Sequence, residues 1–309
     1  NQNFSRSKIN KLTDREEYVV SKGLKRQIEE MDSEAYEFAC PTTKHWKHLI
    51  KLNQVYGHAF YTEENQIELI TDGIELQDNR RFLAANCSWN RTTNAKESIN
   101  VEYYIIKNDF VGMNLIHLLT EKAKDGLEVR LLVDALGSRH INDVVLCEYL
   151  EAGGKVGYFF KPKLKFIAPK FNYRNHRKIV VIDDKVGYTG GYNIAKEYIG
   201  RKKRFGYWRD SHVRIEGNAV IDLRARFVLD WRFTTKEQLD IIPKDFEVEE
   251  TETKTGIQIV SCGPESPSVE VKRAMMRMIT YAEKRVFLQT PYFVPDPSIF
   301  ESLKMAAQS

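Results

Sequence analysis

Residues 172–194 read NYRNHRKIVVIDDKVGYTGGYNI, and this stretch decides both the fold and the chemistry. A histidine and a lysine stand two residues apart at the head of an apolar run. An aspartate closes the run, and a glycine pair with an asparagine follows. Side chains alternate faces along a strand. His176, Lys178, Val180 and Ile182 therefore share one face, and Arg177, Ile179, Val181 and Asp183 the other. An imidazole beside an ammonium suits chemistry on a phosphate: Lys178 neutralises an oxygen while neutral His176 attacks phosphorus. Asp183, on the far face, is expected to fix the strand's end or the 187–191 turn. Gly190 and Gly191 would let backbone amides approach an anion, and Asn193 would open a helix whose N-terminus favours negative charge.

Outward from this stretch, short apolar strands alternate with helical patterns. Residues 67–70 read as a strand ended by Asp72-Gly73, then a helix over 76–97 and a strand over 99–106. A helix over 111–125 stops at Gly126, a strand covers 127–136, and a helix over 142–152 ends at Gly153-Gly154 before another strand. Strands separated by helices of this length imply an α/β fold with a mainly parallel central sheet.

The later part repeats the earlier one. AKESINVEYYIIKND begins at Ala95 and AEKRVFLQTPYFVPD at Ala282. Ala95 and Ala282, Ile99 and Val286, Val101 and Leu288, and Asp109 and Asp296 recur at one fixed offset. The shared order of elements points to internal duplication. Residues 1–64 read as a polar, helical N-terminal segment, 65–245 as a first lobe, and 246–309 as the start of a second.

The 309 residues carry a net charge of +4, which permits attraction to an anionic surface without arguing for it. Cys40, Cys87, Cys147 and Cys262 are irregularly spaced and form no C-x-x-C pair, which fits a reducing compartment. No apolar run approaches the roughly 18 residues of a membrane span, and no signal peptide is present. His45 and His48 lack a third ligand, so no metal is expected.

The pattern H176-x-K178-x4-D183-x6-G190-G191-x-N193 matches the signature of the phospholipase D superfamily. Its fixed positions would coincide by accident in about one chain per hundred thousand. The flanks NYRNHRKIVVID, GYTGGYNIAKEYIG, YWRDSHVRIEG and TPYFVPD resemble bacterial cardiolipin synthases. The resemblance implies an α/β/α sandwich with a mixed sheet, two lobes facing one site, and no metal or other cofactor. The implied reaction moves a phosphatidyl group between two phosphatidylglycerol molecules, giving cardiolipin and glycerol through a histidine intermediate.

The resemblance carries His176, Lys178, Asp183 and Asp210 into the catalytic set, with Asp210 orienting the His176 ring. It carries Gly190, Gly191 and Asn193 onto the substrate phosphate. His212 is a neighbour with a weaker claim on substrate, and Glu102 and Asp134 are further pocket candidates. The second motif is not among these residues, and neither are the family's N-terminal membrane-spanning segments. The expectation is a piece of a longer, truncated enzyme carrying half of a site that another lobe or chain completes. Lys161, Lys163, Lys165 and Lys170, interleaved with aromatics in FFKPKLKFIAPKFNYR, would meet an anionic membrane. The expected location is a bacterial cell membrane, with the lobe on the cytoplasmic side and no nucleic-acid partner. Two alternatives stand: a non-catalytic phospholipid-binding half-site, and a single-motif homodimeric phosphodiesterase or nuclease.

Overall fold

The computed structural model describes residues 44–57, 59–73, 95–161, 174–200, 204, 206–241, 243, 253–263 and 269–309. Their helices are α1 (Lys44–Gly57), α2 (Phe110–Lys124), α3 (Cys147–Glu151), α4 (Val220–Thr235), α5 (Glu270–Thr280) and α6 (Pro297–Gln308). The strands are β1 (Tyr61–Thr62), β2 (Asn65–Asp72), β3 (Ser98–Tyr103), β4 (Glu128–Asp134), β5 (Lys155–Phe159), β6 (Lys178–Ile182), β7 (Val186–Gly190), β8 (Arg209–Gly217) and β9 (Ile257–Gln258).

Seven strands form one sheet in the order β2-β8-β7-β6-β3-β4-β5. The alternation expected for the catalytic strand is visible in its packing. Val180 and Ile182 of β6 enter an apolar cluster with Leu115 and Leu119 of α2 and Tyr149 of α3. Ile179 and Val181 enter a second cluster with Phe227, Val228 and Trp231 of α4. The sheet is thus sandwiched between α2 and α3 on one side and α4 on the other. This is the expected α/β/α layering, built because a strand covered on both faces must be apolar at nearly every residue, as β6 is from Ile179 to Ile182.

The sheet is mixed, but it is not mainly parallel. Among the strands of the described residues, β3–β4 and β4–β5 pair in parallel. The pairs β3–β6, β6–β7, β7–β8 and β2–β8 are antiparallel. The parallel part is where α2 and α3 make crossovers. From β6 onwards the chain turns back on itself, first through a tight turn in which Lys185 N–H donates to the Ile182 carbonyl at 3.0 Å. Asp183 and Asp184 both have positive φ there, 49° and 56°. Positive φ at both central residues is the geometry of a type I′ turn, here within the three residues that join Ile182 to Val186, but the usual glycine signal is missing from the sequence.

Helix α2 matches expectation: Asp109 caps it through Val111 N–H and Gly112 N–H, and Gly126 follows in a left-handed conformation with φ 90°. The helix read over 142–152 shrinks to α3, preceded by turns in which Asn142 accepts from Val144 N–H and Val145 N–H. The helix read over 76–97 lies outside the described residues up to 94, and residues 95–97 are not helical. Asn193 opens no helix; the chain passes through turns instead. Beyond the sheet, β1 pairs with β9, so the segments before β2 and after α4 meet.

Candidate active site

The site forms where β6 begins. His176 lies just ahead of that strand, with its ring stacked on Tyr104 at 3.8 Å between centroids. Lys178 Nζ donates to the His176 carbonyl at 2.6 Å and lies 5.7 Å from the centre of the same Tyr104 ring. The sequence placed these two groups side by side, and the structure does the same. They line a cleft of about 350 Å³ whose walls also include Thr189, Gly190, Ser261 and Cys262.

The electrostatics suit attack by a neutral imidazole. Partial desolvation, reinforced by the Lys178 charge and opposed by Asp134, holds His176 below the usual histidine range. Burial lowers Lys178 to about 8, against the attraction of Asp210. The lysine therefore stays cationic at neutral pH while the histidine keeps its lone pair.

Asp183 does not share this cleft. It sits at the opposite end of β6 and accepts from Lys96, Glu97 and Ser98 N–H, each at 2.9 Å. The structural role expected from strand alternation is the one observed, although it anchors β3 rather than the 187–191 turn. Its place in the catalytic set is corrected accordingly: the five residues of β6 separate it from His176.

Asp210 makes no hydrogen bond to His176. Its Oδ1 accepts from Ser211 N–H at 2.8 Å, and its charge acts on Lys178. The glycine pair explains where it lies. A Cβ on Gly191 would fall 1.9 Å from Asp210 Oδ1, and one on Gly190 would fall 2.5 Å from His212 Nδ1. These glycines admit side chains from β8. The amide offered to a phosphate at Gly191 already donates to the Ser211 carbonyl at 2.8 Å.

Asn193 is buried, with its side-chain oxygen accepting from Ile105 N–H at 3.1 Å and its amide donating to Tyr198 Oη at 3.1 Å. It braces the loop after β3. His212 is 1 % exposed, neither ring nitrogen has a hydrogen-bond partner among the described residues, and burial with the Lys178 charge lowers it to about 3. Among the basic residues expected at a membrane, Lys161 is exposed with its ammonium over the Tyr158 ring at 4.5 Å. Lys163, Lys165 and Lys170 lie outside the described residues. His48 meets Tyr281 Oη at 3.1 Å, and no cluster of three metal-ligating residues occurs among the described residues.

Behind the site stand buried polar groups that sequence reading ranked low. Asn175 N–H donates to Asp134 Oδ2 at 3.1 Å, and its side-chain amide donates to Glu102 Oε1. Arg177 N–H donates to Asn175 Oδ1 at 3.0 Å, and its guanidinium pairs with Asp230 at 3.0 Å. Arg226 also pairs with Asp230, at 2.5 Å. The residues on both sides of His176 are therefore clamped. Asp230 was missed because a carboxylate in a helix carries no signal until the helix is docked.

Residues 90–217 match the family described as cardiolipin synthase, PLD-like domain. The chain is 39% identical over 308 residues to the major cardiolipin synthase ClsA of Bacillus subtilis, covering 99% of this chain and 62% of that protein. It is 38% identical over 307 residues to a cardiolipin synthase of Listeria monocytogenes, again covering 99% and 62%. The chain thus spans about three fifths of the length of these relatives. A solved phosphatidylserine synthase from Haemophilus influenzae superposes with TM-score 0.53 and 13% identity, over 84% of this chain and 63% of that one; this shows the fold alone. Residues 90–217 thus match a PLD-like domain of the cardiolipin synthase kind, and the chain as a whole is similar to cardiolipin synthases.

Proposed function

We propose that the chain is part of a cardiolipin-forming phosphatidyltransferase in which His176 is the nucleophile. The carrying observation is the pairing, at one cleft, of an imidazole kept neutral with an ammonium kept charged. The His176 lone pair attacks the phosphorus of phosphatidylglycerol. A P–N bond forms, the P–O bond to the headgroup glycerol breaks, and glycerol leaves after taking a proton. The glycerol hydroxyl of a second phosphatidylglycerol then attacks, loses its proton and breaks the P–N bond. Lys178 neutralises charge on the phosphoryl oxygens throughout. Cardiolipin and glycerol are the products.

The proton donor to the leaving glycerol belongs to a second motif that the family resemblance places on another lobe or another chain. A positioned acid–base group is worth about 10²- to 10⁴-fold in rate. On this reading the substrate is an anionic lipid, met at a bacterial membrane with help from Lys161 and its basic neighbours. No helix among the described residues is long and apolar enough to cross that membrane.

The test is a turnover assay with phosphatidylglycerol in mixed micelles, following cardiolipin and glycerol, with a single-stranded oligonucleotide as the competing substrate. Lipid turnover abolished by His176→Ala supports the reading. Cleavage of the oligonucleotide with no lipid turnover contradicts it in favour of a phosphodiesterase. Lipid binding without any turnover leaves a docking half-site as the function.

A further inference from the structure

Three buried carboxyl groups from three elements converge on the residues flanking His176: Glu102 of β3, Asp134 of β4 and Asp230 of α4. Each is 1 % exposed. Asp230 is matched by two guanidinium groups, Arg177 and Arg226. Asp134 is matched by backbone amides, those of Leu136 and Gly137 on Oδ1 and that of Asn175 on Oδ2. Glu102 has no such match. Its Oε1 accepts from the Asn175 side chain, but Oε2 has no hydrogen-bond partner among the described residues. Asp230 lies within hydrogen-bonding reach of it.

Two ionised carboxylates at hydrogen-bonding distance in a dry interior repel each other, and a single shared proton removes the conflict. Protonated, Glu102 donates from Oε2 to Asp230 while Oε1 still accepts from Asn175. We propose that Glu102, held as a carboxylic acid against the Asp230 carboxylate, is a positioning residue for His176, acting through the Asn175 side chain. Burial first, and the Asp230 charge second, raise Glu102 well above the usual carboxylate range. Arg177 opposes that shift, and Arg226 faces Asp230 from within α4. Asn175 then spans the chain: its amide nitrogen reaches Glu102, and its carbonyl receives Arg177 N–H at 3.0 Å. Rotation of the Asn175 side chain would release its contacts to Glu102 and to Arg177 N–H, one on each side of the imidazole.

The proposal's functional meaning rests on His176 being the nucleophile, but its test does not. Infrared difference spectra of the wild-type chain against Glu102→Gln, at neutral pH, read the carbonyl band of a buried carboxylic acid. Nitrogen NMR of the His176 ring reads its tautomer and titration. The expected result is an acid band in the difference spectrum, carried by the wild type and lost with Glu102→Gln; buried Asp222, also raised by desolvation, contributes equally to both chains and cancels. The glutamine, which can donate to Asp230 and accept from Asn175, keeps the wild-type His176 titration, whereas Glu102→Ala alters it. If His176 is the nucleophile, Glu102→Ala also slows its modification by about 100-fold, the usual consequence of a misplaced reacting group. Absence of the acid band in the wild type overturns the proposal. So does a glutamine variant whose His176 titration departs from wild type, since that variant preserves shape and neutrality. An acid band with the expected titrations, in a chain that never reacts with lipid, leaves the positioning role standing and removes the proposed function instead.

Discussion

The two stretches matched at one fixed offset, Ala95–Asp109 as first copy and Ala282–Asp296 as second, share a local pattern but not a structure. In the first, Ile99, Val101 and Tyr103 lie on β3 at 0%, 0% and 2% exposure. In the second, Val286, Phe287 and Leu288 are 37%, 86% and 44% exposed, and residues 282–295 form no strand. Yet the helix after each copy starts in the same way. Asp109 accepts from Val111 N–H and Gly112 N–H, and Asp296 accepts from Ser298 N–H and Ile299 N–H. A cap needs only the aspartate and the turn behind it, so it forms in both copies. A strand needs neighbours: β3 has β4 on one side and β6 on the other, while residues 286–290 pair with no strand among the described residues.

The largest expected effect would break the comparison directly. Ile99→Ala should lower stability by about 2–5 kcal/mol, because a fully buried side chain is lost. Leu288→Ala should change it by less than about 0.5 kcal/mol, because little packing is lost at a largely exposed position. Denaturant titration of the two variants gives both numbers, and equal losses would mean that the second copy is packed in solution.

Next comes the anchor that gives β3 its start. Asp183→Ala removes the acceptor for three amides and should cost about 2–4 kcal/mol. Asp183→Asn should recover part of that, since an amide oxygen still accepts and asparagine tolerates the positive φ of 49°. Amide hydrogen exchange along β3 would localise the loss.

The caps should sharpen the likeness. Asp109→Ala and Asp296→Ala should each cost about 1 kcal/mol. Asp109 should be the larger, because its second oxygen accepts from the Lys196 backbone N–H at 3.0 Å, whereas that of Asp296 meets the ammonium of Lys272 in a solvent-exposed ion pair worth little. Helicity by NMR chemical shift at the first turns of α2 and α6 checks this.

The smallest contrast is set by protons and belongs to the first copy's sheet, where Tyr103 of β3 pairs with Lys178 of β6. Lys178 is lowered to about 8, so the positive charge beside the phosphate disappears as pH rises through that value. Turnover should fall on that alkaline limb. It should also fall in acid, where His176 gains a proton, with that limb below the usual histidine range. Lys178→Arg should remove the alkaline limb, since a guanidinium stays charged there. A pH–rate profile of both chains is the measurement.

The sequence was legible wherever the governing interaction is local. Period two put Asp183 on the face away from His176, and the glycine signal marked the end of α2. It was illegible where docking decides. The β6–β7 hairpin turns on Asp183-Asp184 without a glycine, so strand direction was misread as mainly parallel. Asn193 resembled a helix start, but Ile105 N–H and Tyr198 Oη hold its side chain instead. Asp210, thirty-four positions after His176 by family pattern, acts on Lys178 here, a placement set by the packing of β8 against Gly191. The clamp that Glu102 and Asp134 place on Asn175, and Asp230 on Arg177, joins β3, β4 and α4 to the segment before β6 and has no signature along the chain.

The most direct test of the central claim is to incubate the chain with phosphatidylglycerol, quench without acid, and map the modified peptide by mass spectrometry. The account predicts a phosphatidyl adduct on the peptide carrying His176, absent from His176→Ala and reduced in Lys178→Ala. An unmodified His176 in a chain that has bound the lipid, or an adduct that survives His176→Ala, would contradict it.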